Sequence, residues 1–146
     1  MYKYLSNRKP NRTGAAAVEF AVVAPIFFLT LFACFEFSKI SMVESFAEDA
    51  AFRAARHVVV VGATTQESRD LANETLAIVG VENAQITIEP SINGAIQTEI
   101  DDDTDRIAVR IAIPMAENLF LANFINDFVM EKEAVIFTER YREATN

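Results

Sequence analysis

The chain has no tryptophan, a single cysteine, a single histidine and only four glycines in 146 residues, and each shortage removes a class of chemistry. Cys34 has no second cysteine to pair with, so no intramolecular disulfide can form in any compartment. His57 has no His or Cys at metal-ligand spacing, and reads as a structural or solvent-facing histidine. No glycine-rich phosphate loop is present. Carboxylates are plentiful, but they fall on expected helix surfaces and turns rather than converging, so no catalytic residue, cofactor or metal is expected, and the chain does not read as an enzyme.

Basic residues are also scarce, with 13 Lys and Arg against 21 Asp and Glu and a net charge of −8. A nucleic-acid groove needs clustered cations, which this balance excludes. The distribution says more. Lys3, Arg8, Lys9 and Arg12 give residues 1–14 a charge of +4 with no acid, which leaves −12 on the remainder. Such a split keeps the basic end cytoplasmic and sends the acidic body across the membrane.

From Phe20 to Phe35 there is no charge at all. As a helix, that run covers about 24 Å of a hydrocarbon core about 30 Å thick. Extended to residues 15–40, the segment is long enough to span, with Glu19 and Glu36 about 25 Å apart near its two edges. Glu36 has Lys39 three residues on, and both can reach water. Glu19 has no basic residue in the following turn, and an acid inside lipid costs about 3 kcal/mol by insertion scales. Pro25 removes one helix hydrogen bond within the span and marks a bend or loosened point.

Gly14 followed by Ala15-Ala16-Ala17-Val18-Glu19-Phe20, behind a basic leader, resembles the processing site of prepilins. The wider run from Arg12 to Lys39 is most similar to the TadE-like pseudopilins of the tight-adherence (Flp, type IVb) pilus system, with the TadF-like class as its sister. The resemblance implies cleavage after Gly14 by a prepilin peptidase, a mature chain beginning at Ala15, and Glu19 as its fifth residue. It also implies that Glu19 pairs with the terminal amine of its own or a neighbouring subunit, fixing the register of packed helices. Ala15, Ala16, Ala17, Ala21 and Ala24 would permit close helix approach. The implied role is a minor pilin in pilus assembly, initiation or adhesion, held in the bacterial inner membrane as a single pass with a periplasmic C-terminal domain. Its partners would be the peptidase, other pilins and the assembly platform. The alternative is an uncleaved, membrane-anchored periplasmic scaffold or binding module of an envelope complex. A lipoprotein site at Cys34 is disfavoured by bulky Phe32, and a removed secretory signal by the length of the apolar run.

The expected organisation is a leader over residues 1–14, a span over 15–40 and a periplasmic α+β domain over 41–146. Beyond the span, Ile40, Val43, Ala47, Ala50 and Ala54 continue a helical stripe of small residues, with Asp49 and Arg53 paired off it. The helix is expected to end near His57, with Gly62 as a cap. Thr64-Thr-Gln-Glu67 reads as a capping box opening a second helix to about Val79, its face on Leu71, Thr75, Ile78 and Val79.

The period then changes to two. One strand is expected over Ala84 to Glu89, a turn at Pro90 to Gly94, a second strand through Ile96 and Ile100, and a third from Arg106 to Ile113. A fourth, from about Glu133 to Tyr141, completes an antiparallel meander of three to four strands. Asp101, Asp103 and Asp105 mimic the opening of a calcium loop, but Arg106 and Ala112 stand where its glycine and bidentate glutamate belong. Phe120, Phe124 and Phe128 lie at i, i+4, i+8. They read either as a cover for the sheet or as a contact surface for another subunit.

Overall fold

In a computed structural model the described residues are 13–60, 63–98, 100, 103–120 and 128–138. They form a long helix α1 (Thr13–Val58), α2 (Thr65–Ala77), β1 (Gln85–Ile92), β2 (Ala95–Ile96), β3 (Arg106–Pro114), a short α3 (Met115–Asn118) and β4 (Val129–Phe137). The fold is α+β, as expected. The chain divides into two compact units, Met1–Phe35 and Glu36–Asn146.

In the first unit α1 is a helix clothed in exposed apolar side chains, among them Phe20, Ile26, Phe27, Phe28 and Leu29. It is the one helix among the described residues long and apolar enough to cross a membrane. Helix geometry runs unbroken through Pro25.

The second unit is built on the small-residue stripe. Val43, Ala47, Ala50 and Ala54 are fully buried, joined by Ala51, Ala55 and Val58. They share one core with Ala72 and Leu76 of α2 and with Ile88, Ile107, Val109, Ile111 and Ile113 of the sheet. The alanines take up little room on the helix face, and the bulky strand residues fill the space between helix and sheet. Asp49 and Arg53 form the expected ion pair at 2.8 Å on the outer side.

The second helix opens as its sequence says. Thr64 Oγ1 accepts the Glu67 amide while Glu67 Oε2 accepts the Thr64 amide. These mutual bonds hold the Glu67 carboxyl below the usual carboxylate range, the backbone bond first among them. The buried face differs from expectation. It is Ser68, Ala72, Thr75 and Leu76, whereas Ile78 is 70% exposed. The helix ends at Ala77, and the Val81 amide reaches back to Leu76 O and Gly80's to Ala77 O. That Schellman closure needs the left-handed φ of 68° at Gly80, which glycine adopts without strain. It moves Ile78 off the core.

The sheet is antiparallel with order β2-β1-β3-β4, which corrects the meander. β3 pairs with β1 over seven positions from Gln85↔Ala112 to Ser91↔Arg106, and β2 lies outside β1. The turn is also shorter than expected. Pro90, Ser91 and Ile92 belong to β1, leaving only Asn93 (φ 50°) and Gly94 (φ 84°) as a two-residue hairpin turn of the twist-matching kind. Proline fits because Pro90 O accepts the Gln97 amide. In an antiparallel ladder a residue's N–H and C=O face the same neighbour, so the missing donor falls on the β2 side and spares the ladder to β3. Ile100 lies outside any strand.

The last strand begins at Val129, earlier than expected. The Gly62 cap, Asp101, Asp102, Phe124 and the 139–141 end expected for β4 lie outside the described residues.

Candidate functional site

The residues that the sequence singles out fall on separate parts of the chain. Gly14, Ala15 and Glu19 occupy the first turns of α1, and Pro25 follows on the same helix. Ala15 and Glu19 stand at i and i+4, one above the other on one helix face. Among the described residues Glu19 makes no hydrogen bond or ion pair and is exposed. Glycine within a helix costs roughly 0.5–1 kcal/mol relative to alanine. Yet a Cβ built on Gly14 meets nothing within 4 Å, so no packing among the described residues demands glycine there. Ala15, Ala16, Ala17 and Ala21 are exposed as well, leaving a smooth flank for another helix.

Phe120 and Phe128 belong to the second unit. Phe120 is 82% exposed and Phe128 37%, so the first does not cover the sheet. Phe128 O accepts the Met115 amide at 3.1 Å, fixing the entry to β4 beside α3.

Sequence reasoning missed three polar ties that shape this unit. The Phe120 amide donates to Glu36 Oε1 at 3.0 Å, so Glu36 bonds a backbone 84 residues away rather than Lys39. Its Oε2 is buried without a hydrogen-bond partner. Lys132 Nζ meets Glu44 Oε1 at 2.6 Å, tying β4 to α1. The Glu44 bond pushes the lysine pKa upward. That tie had a sequence signal: Lys132 shares a strand face with Met130, Ala134 and Ile136, so its cation had to find a partner at the core's edge. Third, buried Asn118 clamps the segment after α2. Its Oδ1 accepts the Glu82 amide at 3.0 Å, and Nδ2 donates to Glu82 O at 3.2 Å and Pro114 O at 2.8 Å.

The acidic loop does structural work where it is described. Asp105 Oδ2 accepts the Asn93 amide at 2.8 Å, holding the β1–β2 turn, and Arg106 already starts β3. No group of three His, Cys, Asp or Glu among the described residues is placed to hold a metal ion. His57 Nδ1 lies 3.0 Å from Ser68 Oγ. Ser68 Oγ in turn donates to Thr64 O, so this pair pins the end of α1 to the first turn of α2.

These features define an α+β protein with one exposed apolar helix of membrane-spanning length. Residues 14–56 match the family described as TadE-like protein, the family that the run from Arg12 to Lys39 resembles. The match covers all of α1 but its two ends and none of the sheet. No curated protein and no solved structure gives a significant match. The TadE-like family comprises structural pilus components rather than enzymes.

Proposed function

We propose that this chain is a minor pseudopilin of a tight-adherence (Flp) pilus, processed after Gly14 by a prepilin peptidase and acting in assembly, initiation or adhesion. The observation that carries the reading is Gly14 itself. It sits at a helical position where nothing among the described residues excludes a side chain, with Ala15 after it and, one turn further, an acid with no partner among those residues. A glycine that packing does not need is accounted for by recognition, here by the peptidase.

Cleavage would free the amine of Ala15 at i to Glu19's i+4, and the pairing of two charges in lipid offsets the cost that either carries alone. The amine of a neighbouring subunit can serve equally, which would set the axial register of packed helices. Pro25 provides a point of bending as a helix leaves the bilayer. Residues 15–40 form the span and 41–146 the periplasmic domain, consistent with the basic leader and acidic body. Phe120, Phe124 and Phe128 are candidate contacts for other subunits.

The test is the intact mass and N-terminal sequence of the membrane-extracted protein, produced with and without the peptidase. A chain starting at Ala15 only with the peptidase supports the proposal. A chain retaining residues 1–14 in both conditions overturns it in favour of an uncleaved periplasmic scaffold.

A further inference from the structure

Phe120 is the most exposed of the large apolar side chains among the described residues, at 82%, and its place is fixed by the backbone. The Leu119 amide closes α3 on Met115 O while Leu119 itself is buried. The next amide, Phe120's, donates to Glu36 Oε1 at 3.0 Å. Phe120 therefore stands within one glutamate side chain of α1 at Glu36. In sequence, Glu36 is the first charged residue after the charge-free run ending at Phe35, and Lys39 follows. Phe37, also on α1 beside this point, is exposed too.

From this juxtaposition we infer that Phe120 inserts into the lipid–water boundary of the bilayer, as a second membrane contact beside the helix. The inference rests on the reading of residues 15–40 as a span. Three points make lipid the occupant. The patch is continuous with the membrane segment, because Glu36 ends the apolar run and holds Phe120 directly. The contact serves both partners at that boundary: one carboxylate oxygen, Glu36 Oε1, gains an N–H donor, and an amide that would otherwise face the headgroups gains an acceptor. And an aromatic ring at an interface buries apolar surface about 5–10 Å deep without needing a protein partner.

The chain has no tryptophan, so single substitutions to tryptophan report one site each. Full-length Phe120→Trp, Val23→Trp and Ile96→Trp proteins would be reconstituted in phosphatidylcholine–phosphatidylglycerol vesicles carrying nitroxide either high on the acyl chain or near the bilayer centre. Val23 lies within the span. Ile96 is 69% exposed and pairs beside the Arg106 end of the sheet, about 26 Å from the Pro114 end at the usual rise per residue. The expected result for Phe120→Trp is blue-shifted emission that shallow nitroxide quenches more than deep nitroxide. Val23→Trp should be quenched by deep nitroxide, and Ile96→Trp by aqueous iodide alone. If nitroxide quenches Val23→Trp while Phe120→Trp answers only to iodide, the lipid contact is overturned and the span stands. Blue-shifted emission from Phe120→Trp that ignores nitroxide and follows the protein-to-lipid ratio overturns it in favour of a second copy. Failure of nitroxide to quench Val23→Trp overturns both.

Discussion

Lys132 Nζ lies 2.6 Å from Glu44 Oε1, joining residues 88 positions apart. β4 is the last strand of the sheet, and this bond is a direct polar tie from it to α1. Lys132→Gln or Glu44→Gln is expected to speed amide exchange along β4 in the full chain. The double variant should add little to either single change, since both remove one interaction. The pH dependence follows from direction. The folded lysine pKa lies above its ordinary value, so the contribution is whole below that ordinary value and disappears as pH rises through the folded one. Exchange rates corrected for intrinsic chemistry and followed from neutral to strongly alkaline pH would check it.

The capping box titrates the other way. Glu67 has its folded pKa depressed below the ordinary 4.5, so its support for α2 is complete above that value and is lost as pH falls through the folded one. Glu67→Gln can still accept the Thr64 amide, and α2 helicity in that variant should no longer depend on pH across the acid range. Thr64→Ala should cost about 1 kcal/mol at neutral pH. Chemical denaturation in detergent micelles would separate the two effects.

Asn118 is 4% exposed and serves three backbone groups. Asn118→Leu is close in volume but leaves the part-buried Glu82 amide and carbonyl without their side-chain partner, and is expected to destabilise by about 1–2 kcal/mol. Asn118→Asp should cost less if Glu82's amide is the dominant partner, because the carboxylate still accepts. Denaturant midpoints of the two variants decide between these outcomes.

At the other end of the chain, if the proposed role holds, Glu19→Ala should leave peptidase processing intact and impair co-assembly with other pilus subunits, because on that reading its charge pairs only after cleavage. Gly14→Val should block processing itself while leaving the helix, where a side chain at 14 meets no obstruction. Mass spectrometry of the mature chain and pull-down of partner pilins would give two separate readings, and normal co-assembly by Glu19→Ala would sink the register role.

What sequence made legible was local. The alanine stripe, the capping box, the Asp49–Arg53 pair and the core face of β3 each declare themselves within about a dozen residues, and each is found where the spacing puts it. Strand order was not legible, because β2 has only two residues and Pro90 looked like a turn while sitting harmlessly on the β2 side of β1. The Glu36 partner was hidden for another reason. A backbone amide carries no side-chain identity, so no reading of residue types could have found Phe120 across that distance. Of the candidate site, Gly14, Ala15 and Glu19 were singled out by their resemblance to a prepilin processing site, and their role rests on the processing and assembly tests above.

On the proposed reading the two lengths of α1 face different solvents. Before Glu36 its large side chains are bare, and the buried residues it contributes to the domain begin at Val43, with Ile40 partly covered. Anchoring and folding thus draw on separate stretches of one helix. On that reading a chain beginning at Glu36 would lose its spanning helix and keep every described residue of its core, so removal of the anchor would not unmake the domain.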